Sequence, residues 1–123
     1  MVKTCCISLV VVQLRIIEGK LEAELLRITR LRAPNEAVGL ILSDGSVVEL
    51  PNHSDTPESN FEAHRNDLQG IIEHEENWLD IIFWHSHPHG GVGPSRVDMQ
   101  HKTPLRYHLV VSLIGGIILP SWY

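Results

Sequence analysis

Cysteine is almost missing from this sequence. Its two copies, Cys5 and Cys6, are adjacent, a poor arrangement for bridging to each other, and none follows them. That excludes a disulfide framework and any site built on cysteine clusters, and it suggests a reducing compartment. Basic charge is thin as well: ten Lys and Arg lie scattered against fifteen Asp and Glu, for a net charge of −5. No nucleic-acid partner is therefore expected. Long apolar runs are absent too, since a membrane span needs roughly 20 apolar residues. The run Cys5 to Val12 is far shorter and reads as a strand, not as a signal peptide or membrane span. No membrane partner is expected, and the expected location is the cytoplasm. Repeats, linkers and low-complexity segments are also lacking.

What is present is ordinary for a globular domain. With 123 residues, 43% hydrophobic and 20% charged, the chain reads as one domain over residues 1–123, long enough to bury about two-thirds of its unfolded surface. Residues 5–14 predict a first strand. From Glu18 to Arg32, Leu21, Leu25, Leu26, Ile28 and Leu31 recur at helical spacing, and Pro34 enforces a break. Glu36–Leu42 and Ser46–Leu50 flank Asp44-Gly45, the signal of a two-residue hairpin. Pro51 to Asn60 is a polar surface loop. A second helix is expected over Asp67–Glu76, with Leu68, Ile71 and Ile72 on its apolar side. A hairpin over Tyr107–Ile114 and Ile117–Trp122, joined by Gly115-Gly116, closes the chain. The order predicts an α/β fold, one mixed sheet packed with helices.

The chemistry concentrates in Trp84-His85-Ser86-His87-Pro88 and the residues that follow. Leu79-Asp80-Ile81-Ile82-Phe83-Trp84 is mostly apolar, β-branched and aromatic, a buried strand leading into His85. Side chains on a strand alternate, so His85 and His87 face the same way, about 6.5–7 Å apart at Cα, while Ser86 faces elsewhere. Pro88 ends the strand, and a loop with Gly90, Gly91 and Gly93 follows. Ser95 and Asp98 then open a short helix ending near His101. Asp98 reads either as the acid of a capped first turn or as an oxygen ligand beside the two imidazoles, and the two readings are compatible. Two neutral imidazoles and one carboxylate suit catalytic zinc with one position left open.

His85-x-His87-Pro88, six residues, then Ser95-x-x-Asp98 resembles the signature of the JAMM (MPN-domain) zinc metalloproteases. Glu36-Ala37-Val38-Gly39 matches that family's upstream E-x-x-G. The resemblance covers roughly residues 18–123 and implies a cytidine-deaminase-like JAMM/MPN fold. It implies zinc held by His85, His87 and Asp98, with Glu36 as general base and Ser95 as donor to the oxyanion. The activity implied is a zinc-dependent peptidase or isopeptidase, hydrolysing an amide through a metal-activated water. With 25 residues after Asp98, the chain is similar to the compact prokaryotic and phage versions, including those of phage tail assembly. The implied partner is then a protein or peptide substrate, such as a ubiquitin-like tail or a structural assembly protein, in the host cytoplasm if the gene is phage-encoded. The rival reading is a non-catalytic MPN-type scaffold that binds partners.

Other candidates are weaker. Glu49, Glu58, Glu62, Glu73, Glu75 and Glu76 read as solvated carboxylates, and His89 as a solvated loop residue. His53, His64, His74, His101 and His108 show no ligand spacing, and no H-E-x-x-H occurs. Trp78 and Trp84 are expected in the core. Zinc deaminases of nucleobases would need H-x-E and P-C-x-x-C, which this chain lacks.

Overall fold

The computed structural model describes residues 19–123; the strand expected over 5–14 lies outside them. Helix α1 (Lys20–Arg32) forms where the apolar spacing predicts it. Leu21, Leu25, Ile28 and Thr29 make its buried stripe, and Thr29 Oγ1 donates to the Leu25 carbonyl at 2.7 Å. Arg30 and Arg32 in the last turn face the negative end of the helix dipole. Leu31, placed on the apolar face by periodicity, is instead exposed, because the buried stripe is narrower than the apolar set.

Strands β1 (Val38–Ile41) and β2 (Val47–Leu50) pair antiparallel, from Val38 opposite Leu50 to Ile41 opposite Val47. Beyond Ile41 the Leu42 amide still donates to the Ser46 carbonyl at 2.9 Å, so residues 43–45 form the turn, one residue longer than the two-residue loop expected. Two local interactions set its shape. Asp44 Oδ1 accepts from the Ser46 amide at 2.9 Å, and Gly45 takes a left-handed φ of 88°. Helix α2 spans Arg65–Ile72, starting and stopping earlier than the expected Asp67–Glu76. Glu73, Glu75 and Glu76 would crowd like charge at the negative end of the dipole, and the helix ends before them. A 3₁₀ turn, Trp78–Asp80, then occupies the expected start of the next strand. Trp78 sits on it half-exposed, not in the core; Trp84 is fully buried.

Strand β3 (Ile82–His87) carries the motif and ends at Pro88 as expected. After it come α3 (Arg96–Gln100), β4 (Tyr107–Ile114) and β5 (Ile117–Trp122). Gly115 and Gly116 both adopt positive φ, the requirement of a tight hairpin turn. The sheet order is β2-β1-β3-β4-β5. Among the described residues only β3 and β4 are parallel, joined by the crossover through α3, so the sheet is mixed. Apolar side chains fill both faces. α1 covers Ile41, Ile82, Trp84, Leu109 and Val111 on one face. On the other, Leu68, Ile71 and Phe61 pack against Val38, Leu40, Ile81 and Phe83. Among the described residues no helix is long and apolar enough to cross a membrane.

Candidate metal centre

β3 alternates between the two cores. Ile82 and Trp84 face α1, which sends Phe83 and His85 to the other side. His85 and His87 therefore emerge together at the end of the strand, and their Nε2 atoms lie 3.3 Å apart. Asp98 comes from the first turn of α3. Its Oδ2 lies 3.0 Å from His85 Nε2 and 3.1 Å from His87 Nε2. Three donor atoms from two elements thus converge on one point.

The short helix α3 aims Asp98. The Ser95 amide donates to Asp98 Oδ2 at 2.9 Å, and Ser95 Oγ accepts from the Asp98 amide at 3.1 Å, a reciprocal capping box. Both sequence readings of Ser95-x-x-Asp98 therefore coexist, since the cap delivers the carboxylate to the imidazoles. Ser95 Oγ uses a lone pair in this bond, which leaves its proton available to another acceptor.

The far nitrogens of both imidazoles are engaged. His87 Nδ1 lies 3.0 Å from the Gly91 carbonyl, which only accepts, so Nδ1 carries a proton; in the protonated ring Nε2 donates to Asp98, and in the neutral ring Nε2 offers its lone pair. The same carbonyl accepts from Ser112 Oγ at 2.6 Å. His85 Nδ1 lies 3.2 Å from Tyr123 Oη, and the Phe61 ring packs 4.3 Å from the His85 ring. Sequence reading missed Tyr123, Ser112 and Phe61. No local spacing marks them, because each arrives through the sheet order or a loop closure.

Glu36 precedes β1 and is buried. Its amide donates to the Pro57 carbonyl at 2.7 Å, and its carbonyl accepts from Asn52 Nδ2 at 3.0 Å. The next residue is clamped to β3: the Ala37 amide donates to Ser86 Oγ at 2.8 Å and the Ser86 amide to the Ala37 carbonyl at 2.9 Å. Gly39 lets the strands close, because a Cβ there would overlap the Val48 carbonyl and the Trp84 indole nitrogen. One oxygen of Glu36 and one nitrogen from each of His85 and His87 lie within 4.8 Å of one another. Among the described residues Glu36 Oε1, like Trp84 Nε1, is buried with no hydrogen-bond partner, and an unpaired buried acceptor beside two imidazoles calls for an explanation.

The charges follow from these surroundings. Burial, opposed by the His87 charge and reinforced by Asp98, pushes the Glu36 carboxyl up to about 7. Burial also works against the Asp98 carboxylate, but hydrogen bonds from His85 and His87 outweigh it and hold the group well below the usual range. His85 is lowered by burial, partly offset by Asp98. His87 also feels burial, yet Asp98, the Gly91 carbonyl and Glu36 together raise it.

Of the remaining histidines, exposed His89 is not simply solvated, as its Nε2 lies 3.0 Å from the Pro34 carbonyl. His108 is buried and lowered to about 4, chiefly by burial, and its Nε2 accepts from the Thr103 amide at 3.1 Å. His53 and His64 stack together, although their sequence spacing suggested no pairing.

A mixed sheet between helices, with two histidines ending a central strand and an acid from the following helix, defines an α/β domain built around a candidate metal centre. The family described as prokaryotic homologs of the JAB domain matches residues 19–118, and the chain belongs to it. That family includes metalloproteases and inactive members, and often binds zinc. The solution structure of protein DSY2949 from Desulfitobacterium hafniense is similar, with a TM-score of 0.60 at 26% identity over 85% of this chain and 77% of that one. No curated protein matches the chain.

Proposed function

We propose that the chain is a zinc-dependent peptidase or isopeptidase, with His85, His87 and Asp98 as ligands and Glu36 as general base. One observation carries this reading: three donor atoms 3.0–3.3 Å apart stand beside a buried carboxyl oxygen that has no partner among the described residues. Tetrahedral zinc, with bonds of about 2.0–2.1 Å to nitrogen and oxygen, separates its donors by roughly 3.3–3.4 Å. The spacing of the donor set is therefore close to what such an ion requires. Zinc bound there lowers the pKa of water from 15.7 toward about 7 and polarises a carbonyl.

The chain's own residues supply the rest. Glu36, ionised above its raised pKa, takes the proton of the attacking water and returns it to the leaving amine. Ser95 donates its hydroxyl proton to the oxygen on which charge develops, a bond that strengthens toward the transition state. Asp98 and the Nδ1 partners of the two imidazoles hold the ligand geometry. The cleft of about 430 Å³ beside Asp98, lined by Ser54, Asn60, Phe61 and Glu62 among others, offers room for an extended chain. The substrate classes to try are a ubiquitin-like or sulfur-carrier tail, a peptide, and a structural assembly protein such as a phage tail component. We place the reaction in the cytoplasm, the host's where the gene is phage-borne.

The test uses the zinc-loaded full chain on ubiquitin-like proteins bearing C-terminal extensions, with products read by mass spectrometry. Wild type is expected to cut and Glu36→Gln to be slower by about 10²–10⁴ at unchanged zinc content. Cleavage unaffected by Glu36→Gln, or by removal of the metal, would sink the proposal, and no cleavage by the zinc-loaded wild type would leave a partner-binding scaffold.

A further inference from the structure

We propose that His53, His64 and Asp67 form a second site for a divalent transition-metal ion, separate from the cluster at the end of β3. One donor atom from each of the three lies within 4.8 Å of the other two. The imidazoles stack with centroids 3.5 Å apart and planes 12° from parallel, and His53 Nε2 lies 3.3 Å from Asp67 Oδ2.

The chain builds this cluster deliberately. The segment after β2 doubles back, and the His53 amide donates to the Glu62 carbonyl at 2.9 Å. Asn52 Oδ1 accepts from the amides of Ser54 and Glu62, both at 3.0 Å. These bonds lay the two arms of the loop side by side, His53 on one and His64 on the other. The first turn of α2 then adds Asp67. His64 occupies the N-cap of α2, a position where Ser, Thr, Asn or Asp would stabilise the helix, yet its side chain makes no capping bond. The reciprocal bond that Asp67 could make from the first turn is likewise not formed; its carboxylate reaches His53. Helix stability does not explain His64 at the N-cap, whereas Asp67 in the first turn also suits the helix dipole.

Two imidazoles and one carboxylate favour Zn²⁺, Ni²⁺ or Cu²⁺ over Mg²⁺ or Ca²⁺. Parallel rings direct their in-plane lone pairs side by side, so the stack must open for both to reach one ion. His53 and His64 are both exposed, which leaves them room to turn, and water completes the shell. The site has a structural consequence. The loop it would pin carries Phe61, 4.3 Å from the His85 ring, and Ser54, Asn60 and Glu62, which line the cleft beside Asp98. A metal ion at the loop base therefore stiffens one wall of that cleft.

Calorimetric titration of the chelator-stripped full chain with ZnCl₂ tests this, comparing wild type with His53→Ala and with His64→Asn, which restores a good N-cap. Wild type is expected to take up two ions per chain, each variant to lose one binding event by at least tenfold in affinity, and zinc to shift the ring NMR signals of His53 and His64. A single event that both variants abolish would uphold this site and tell against the one on β3. One event unchanged in both variants, or two events unchanged in both, would overturn the inference.

Discussion

Asp98 Oδ2 stands within hydrogen-bond distance of three nitrogens, while Glu36 Oε1 nearby has no partner among the described residues. The two acids therefore answer pH in opposite senses. Glu36, raised from 4.5 to about 7, favours the fold when neutral. Its contribution is complete below the unfolded value and is lost as pH rises through about 7. In metal-free protein, Glu36→Gln is expected to be more stable than wild type at pH 8, and no more stable at pH 4. The gain is on the order of 1 kcal/mol, below what the full shift implies because water screens part of the group. Urea unfolding at the two pH values measures it; a difference independent of pH would mean that Glu36 is not held neutral. At the other end of the cluster, Tyr123→Phe removes the partner of His85 Nδ1. Zinc affinity is expected to fall by about tenfold, read by competition with a chromogenic chelator, with unchanged circular dichroism.

At the scale of elements, Gly39 joins strand pairing to the site. A methyl group there would meet the Val48 carbonyl and the Trp84 indole nitrogen, atoms of neighbouring strands that cannot easily withdraw. Gly39→Ala is expected to destabilise by about 3 kcal/mol, measured by chemical denaturation; a loss under about 0.5 kcal/mol would show that the strands can part. Much of this architecture was legible from local pattern. The closing hairpin carried its own turn glycines, and the metal motif lay within one strand and one helix turn, where periodicity alone fixes direction. Elsewhere local pattern fell short. The end of α2 depended on three glutamates meeting the dipole, and the exposure of Trp78 on a turn that replaces the start of a strand. Tyr123 beside His85, and His53 against His64, exist only once distant segments have closed.

For the whole molecule, the proposed metal site predicts thermodynamic linkage. Zinc that binds only the folded chain stabilises it by about 2.7 kcal/mol when free zinc is about 100 times Kd. For a domain of this size that corresponds to a Tm higher by about 10 °C, reversed by chelation and, in the His53→Ala background that removes the second proposed site, absent once His87→Ala is added. A Tm indifferent to zinc would mean that the three donors do not hold the ion. The tripeptide His85-Ser86-His87 has a further consequence. Its outer residues turn to the cluster and its middle residue grips Ala37, the neighbour of Glu36. Adding or deleting one codon between Phe83 and His85 would exchange the two faces, driving imidazoles into the α1 core and leaving the serine at the cluster.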